Sequence, residues 1–238
     1  MKNKTTAGQL KRELRKHANP EKAAILSRFF KTGPGEYGES DVFWGITVPL
    51  QRRVAAAFRN LPREQIRRLL DDPVHECRLT ALMILVWQYG KADAPGKQEI
   101  FDFYLRNLGR VNNWDLVDST APYIIGSHLL DGNKALLFQM AGSRIIWERR
   151  IAILASFAFI RKGDFAPTLR LAELLLDDNH DLIHKALGWM LREIGKRDRP
   201  AAEAFLKDHC AFMPRTMLRY AIEKFDEPTR LRYLRQAR

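Results

Sequence analysis

Apolar residues recur along this chain at intervals of three and four, the spacing that lines one face of an α-helix. Sustained alternation of apolar and polar positions is almost absent. The pattern predicts helices over 6–17, 21–31, 50–59, 63–71, 75–91, 96–108, 114–130, 134–141, 146–161, 165–176, 181–195, 200–208, 214–224 and 228–236. Punctuation agrees with these bounds. Asn19-Pro20 opens the second helix, Asn60 and Pro62 flank the junction of the third and fourth, and Asp131-Gly132-Asn133 separates the seventh from the eighth. The one long stretch without helical periodicity, Thr32 to Val48, holds the run Gly33-Pro34-Gly35-Glu36-Tyr37-Gly38-Glu39-Ser40-Asp41. A loop of that length inside a compact domain is usually functional or a lid.

Four helices echo one another. The segments Arg78–Leu82, Trp114–Asp118, Arg150–Leu154 and Lys185–Trp189 lie 36, 36 and 35 residues apart, and each is followed by a polar break and a shorter helix. One helical pair cannot cover its own apolar face, so pairs repeating at this period stack and bury a continuous core. The expected fold is all-α: a single domain over 1–238, a HEAT-like α-solenoid of antiparallel helical pairs with a curved, concave, basic groove. Arg78, Trp114, Arg150 and Lys185 are expected to be neighbours along that groove.

Composition supports the helical class, with 30 leucines against 7 valines where a sheet protein would favour β-branched residues. At 46% hydrophobic and 29% charged residues, the chain is neither disordered nor a membrane protein. Its longest uncharged apolar run, Ile151 to Ile160, is far short of the roughly 20 residues of a spanning helix. Met1 to Pro20 is basic and polar with no apolar core, so no secretory signal is expected. Cys77 and Cys210 form no CxxC pair and suit buried thiols in a reducing compartment, which points to the cytoplasm.

Charge narrows the class of partner. Lys and Arg number 40 against 28 Asp and Glu, a formal charge of +12. Residues 1–31 alone carry a net +7, and Arg52-Arg53, Arg67-Arg68, Arg149-Arg150, Arg230, Arg232, Arg235 and Arg238 add further clusters. A positive field on a concave surface suits a polyanionic backbone, so nucleic acid is the expected partner. The basic helices lack the Trp- and Phe-rich opposing face of a membrane anchor, so no membrane partner is expected. A helical-repeat scaffold for proteins fits this charge least well.

Most familiar chemistries are missing. His180 and His184 share a helix face at i, i+4, but no HExxH and no third ligand accompany them. His75-Glu76-Cys77 and His209-Cys210 are isolated, so structural or surface roles are expected and no metal is called for. The glycines at 33–38 follow no strand and precede no GK[ST], which excludes a P-loop. There is no GxSxG and no context for a nucleophilic cysteine. No cofactor is implied.

Tryptophans are more informative. Trp87 sits in the apolar run from Ala81 and reads as core. Trp114 directly follows Asn112-Asn113, a poor place to bury an indole, and Asp118 lies four residues on, on the same helical face. Trp189 stands one turn beyond Lys185 in the corresponding repeat. Two indoles, one carboxylate and the Arg150 guanidinium are therefore candidates for a single strip.

At these residues the chain resembles the AlkD-type DNA alkylation-repair glycosylases, a family of HEAT-like repeats. The resemblance covers nearly the whole chain. It is carried by Lys31–Asp41, by Phe43–Pro49 with Arg52 and Arg53, by Asn113–Ser119, by Trp147–Leu154 and by Lys185–Glu193. The resemblance places the family's catalytic aspartate on Asp118, its two active-site tryptophans on Trp114 and Trp189, and its phosphate-facing arginine on Arg150. Phe29 and Lys185 join Arg150 as expected substrate-binding residues. Two departures stand out. Asn113 precedes Trp114 where some members have an aromatic residue, and Phe29 stands where a tyrosine is found, removing a hydroxyl near the lesion.

The resemblance implies a monofunctional glycosylase. It would hydrolyse the N-glycosidic bond of positively charged N3- or N7-alkylated purines in duplex DNA, without base flipping, as a monomer and without a strand-cleaving lyase step. The cytoplasm, or the nucleoid of a bacterial cell, is the expected location. The competing expectation is a non-catalytic relative that binds distorted or branched DNA through the same basic groove; retention of Asp118 with both indoles favours the enzyme.

Overall fold

A computed structural model of the chain describes residues 5–236, so the basic residues Lys2, Lys4 and Arg238 lie outside the described part. Among the described residues there is no β-strand, and only Val42 and Val74 form an isolated parallel bridge. The chain divides into two compact units, Met1–Thr120 and Ala121–Arg238.

The first unit contains α1 (Ala7–Arg15), α2 (Pro20–Phe29), α3 (Val48–Ala57), α4 (Arg63–Leu70), α5 (His75–Lys91), α6 (Ala94–Arg106) and the short α7 (Trp114–Asp118). Capping chemistry sets several starts: Thr6 and Gln9 close a capping box on α1, and Asn19 and Asp93 accept from the first turns of α2 and α6. Helix α5 is buried over most of its length and is the hub against which α1, α3, α4, α6 and α7 pack. Leu79, Ala81, Leu82, Ile84 and Leu85 supply its core face.

The second unit begins with a π-helical turn, Pro122–Gly126. It continues through α8 (Ala135–Ala141), α9 (Ile146–Ala155), α10 (Phe157–Ile160), α11 (Ala166–Leu174), α12 (Asp181–Gly195), α13 (Arg199–His209), α14 (Arg215–Ala221) and α15 (Glu227–Gln236). Here α12 is the hub, packed on α9, α13 and α14. Gly188 permits this: a Cβ there would lie 2.4 Å from the Met217 carbonyl oxygen, so α12 and α14 touch through backbone.

Three expectations are corrected. The periodicity over 114–130 predicts one helix, but α7 stops at Asp118 and the π turn follows. Pro122 has no N–H to give the Asp118 carbonyl, and Gly126 N–H instead reaches back five residues to Ala121 at 2.9 Å. The helix expected over 146–161 breaks at Ser156, whose hydroxyl donates to the Ile153 carbonyl at 2.7 Å. Trp87 is not core: it is 39% exposed, beneath the Arg59 guanidinium 5.5 Å from its ring centroid. The heavily apolar α5 offered no polar face in the sequence from which to tell its outer side.

Both cysteines are buried free thiols. Burial, aided by the charge on Asp72, pushes Cys77 up to about 12. No helix of the described residues is long and apolar enough to cross a membrane.

Candidate active site

In the first unit the site is built around Trp114. The indole opens α7 and is half-buried, with Phe30 stacked on it at 4.9 Å and 7° between planes. Phe29, 62% exposed, meets the same indole edge-on at 5.7 Å. The stack continues from Phe30 to Phe43 at 4.9 Å and from Phe43 to the His75 imidazole at 4.7 Å. Behind it lies a cavity of about 170 Å³ lined by Leu26, Phe30, Phe43, Ile46, Gln51 and Leu79 among others. Asp118 is half-buried on the last turn of α7. Tyr104 senses it: burial pushes the Tyr104 phenol up, its hydrogen bond to Thr120 opposes this, and the Asp118 charge adds to the rise.

Beneath α7 lies a buried polar cluster that the sequence did not reveal. His75 Nδ1 pairs with Asp41 Oδ2 at 2.9 Å and Nε2 with Asp115 Oδ2 at 2.7 Å. A carboxylate on each ring nitrogen requires both N–H groups, so the ring is an imidazolium. Burial opposes this charge, but Asp115 and then Asp41 outweigh it and hold His75 at about 9. Arg78 donates to Asp41 and, at 2.7 Å, to Asn112 Oδ1. Asn113 donates to Asp41 Oδ2 at 2.7 Å and caps α7 by accepting Trp114 N–H at 2.8 Å. Burial works against ionised Asp41 as well, yet His75, Arg78 and Asn113 together leave its carboxyl below the usual range.

The glycine-rich segment delivers Asp41 to this cluster. Glu36 accepts Gly33 N–H at 2.9 Å and Glu39 accepts Gly35 N–H at 3.0 Å, so the loop is bonded to itself. Gly38 lets it press on the end of α2, where a Cβ would sit 2.4 Å from the Phe30 carbonyl oxygen. Further along, the successive amides of Trp44, Gly45 and Ile46 all donate to the buried Glu76 carboxylate, at 2.8–3.1 Å. That nest of amides is occupied by the chain's own carboxylate.

In the second unit, α12 carries Lys185 and Trp189 one turn apart. His180 caps it by accepting Leu182 N–H at 3.1 Å, and His184 Nε2 donates to the Asp178 carbonyl, so this pair builds a helix end. Among the described residues no group of three His, Cys, Asp or Glu is arranged to hold a metal ion. Lys185 pairs with Asp181 at 2.6 Å, and Trp189 is half-buried, tilted against Phe157 at 6.1 Å. Arg150, on α9, is only 5% exposed and donates to the Leu182 carbonyl.

Of the expected site residues, Phe29 and Trp114 meet directly and Asp118 follows on the same short helix. Arg78, expected along a groove, is instead buried in its pair with Asp41. An ion pair cannot be read from residues 37 apart in the chain; the only hint was a basic residue inside an otherwise apolar helix. Asn113, which stands out in the sequence as an amide directly before Trp114, is a buried helix cap tied to Asp41.

An all-helical chain of packed helix pairs, with aromatic and acidic side chains gathered at a short helix, defines the class. The chain matches, over residues 10–225, the model of the family described as DNA alkylation repair enzyme, and it belongs to that family. Among solved structures it is similar in fold to a predicted DNA alkylation repair enzyme from Enterococcus faecalis, at 18% identity and a TM-score of 0.67. That likeness covers 89% of this chain and 98% of the other. No curated protein matches the chain.

Proposed function

We propose that the protein is a monofunctional DNA glycosylase that releases positively charged N3- and N7-alkylated purines from duplex DNA. The observation that carries this is the pair formed by Trp114 and Asp118, an indole and a carboxylate four residues apart on one short helix, with the exposed Phe29 ring beside the indole.

Alkylation at N3 or N7 places a positive charge on the purine, so the base departs without a general acid. As the bond lengthens, the deoxyribose takes on oxocarbenium character. Asp118 stabilises that cation and orients the attacking water, an interaction stronger in the transition state than in the ground state. The faces of Trp114 and Trp189 contact the sugar and backbone of the lesion through apolar and cation–π contacts. Arg150 and Lys185 neutralise phosphates, and Phe29 supports the strand beside Trp114. The base leaves without being extruded into a pocket, in contrast to most glycosylases. No lysine is assigned as a Schiff-base nucleophile, so the strand is not cut.

In this proposal the helical pairs form one continuous solenoid with a basic concave surface, the protein acts as a monomer, and it works in the cytoplasm. The test is incubation with duplex DNA containing N7-methylguanine and measurement of free base. Release that depends on Asp118 supports the enzyme. Tight binding of distorted duplexes with no release from any alkylated substrate replaces it with a non-catalytic DNA-binding role.

A further inference from the structure

We infer that His75, clamped between Asp41 and Asp115, is a positioning residue that sets the register of α7 and so fixes where Trp114 and Asp118 stand. This inference rests on the glycosylase proposal for its catalytic consequence, but the positioning itself is measurable without any reaction.

A helix of five residues has almost no hydrogen-bonded ladder of its own, and nucleation makes such a segment unstable alone. Its geometry must come from side chains. The two residues flanking Trp114 are both tied into the cluster, Asn113 to Asp41 and Asp115 to His75. The same imidazole also ends the aromatic stack that leads through Phe43 and Phe30 to the Trp114 face. His75 therefore holds α7 twice, by hydrogen bond through Asp115 and by packing through the Phe43 and Phe30 rings.

The groups facing the imidazole come from every neighbouring element. They are Asp115 from α7, Asp41 from the glycine-rich loop, Arg78 and Glu76 on its own helix, and the uncharged rings of Phe30 and Phe43. Glu76 is occupied by loop amides. Two cations, His75 and Arg78, thus meet two carboxylates, Asp41 and Asp115, and these four charges balance, while the neighbouring Glu76 carboxylate is held by amides alone. Removing any one member strands another. On this view the glycine-rich loop is a strut for the catalytic turn and not a lid.

The experiment uses the full chain and its Asp115→Asn variant. The His75 ring and the Trp114 indole N–H are followed by NMR from pH 6 to about 9.5, and single-turnover release of N7-methylguanine is measured over the same range with uncatalysed loss subtracted. In the wild type, the indole resonance and the release rate are expected to change together as the imidazole titrates. In Asp115→Asn all three midpoints are expected to fall together by about one pH unit, with release down about twofold at pH 8 and about eightfold at pH 9.5, and DNA affinity at pH 7 within about twofold.

An imidazole that titrates while the indole and the rate stay fixed overturns the inference. So does a variant in which only the imidazole midpoint moves. Should Asp115→Asn fail to fold, Asp41→Asn gives the same comparison from the other ring nitrogen. Should the wild type release no base, the glycosylase proposal fails, and coupling of the indole to the imidazole still decides the positioning.

Discussion

The two units present their candidate residues in opposite ways. In the second, Lys185 and Trp189 ride on α12, a fifteen-residue helix whose regular backbone alone sets their spacing, with Gly188 letting it seat on α14. In the first, Trp114 and Asp118 ride on five residues held by a buried set of charges drawn from the loop at 33–41, from α5 and from α7 itself. A long helix carries its own register; a short one borrows it. Distant substitutions are therefore expected to damage the first unit's site far more than the second's.

The largest effect expected is at Asp118. Asp118→Asn keeps shape but removes the charge proposed to meet the oxocarbenium ion, and release of N7-methylguanine is expected to fall by about 100-fold or more. Affinity for the alkylated duplex, measured by fluorescence anisotropy, should change little. Unchanged release would remove the carboxylate from the proposed mechanism.

Next comes the stability of the clamp. His75 titrates at about 9 in the folded chain against an ordinary value of 6.5. Its charge therefore contributes stability that is fully present below about pH 6.5 and is lost as pH rises through about 9. The pH-dependent part amounts to about 3 kcal/mol. Asp41, lowered in the folded chain, works at the other end, and its contribution is lost as pH falls below the ordinary carboxylate range. Urea denaturation of wild type and His75→Phe should show a stability gap that is widest near pH 6 and narrows by about pH 9.5. A gap independent of pH would mean that folding leaves the imidazole's proton affinity unchanged, and one that widens as pH rises would mean that the imidazole is neutral in the fold.

These two predictions also mark what could be seen in the sequence. The helical class was legible because apolar spacing, leucine content and capping residues all agree, and most bounds fall within a few residues of the observed helices. That Trp114 and Asp118 share one helical face was legible from their spacing, while Trp189 was singled out by the repeat and the family resemblance and stands on α12 of the second unit. The clamp was not, because Asp41, His75 and Asp115 are separated by 34 and 40 residues and no periodicity links them. The break after Asp118 was signalled by Pro122, but the apolar residues on either side kept a helical rhythm that outweighed it. Burial of Arg78 was hidden for the same reason as the clamp: its partner lies in a loop that has no pattern of its own.

A smaller effect separates the two tryptophans. Trp114→Ala and Trp189→Ala are each expected to slow release about tenfold, and the double variant tests whether they serve one lesion. Rings acting on the same nucleotide give a combined loss smaller than the product of the two. Fully multiplicative losses would assign them to separate places on the DNA. Because Trp114 stacks on Phe30 at 4.9 Å while Trp189 only tilts against Phe157 at 6.1 Å, the loss of stability should be the larger for Trp114→Ala.

The smallest effects divide Arg150 from Lys185, and the difference lies in what each side chain already does for the fold. Lys185 sits in a partly exposed i, i+4 pair with Asp181, so its loss should change stability by no more than about 0.5 kcal/mol. Arg150 is buried and donates to the Leu182 carbonyl at the start of α12, so Arg150→Ala should cost about 1 kcal/mol or more by removing a buried charged hydrogen bond and its packing. If both neutralise phosphates, each substitution also lowers the slope of log affinity against log salt by about one. A slope that falls for Lys185→Ala but not for Arg150→Ala would make Arg150 a brace for α12, and the second unit would then depend on a buried cation in the same way as the first.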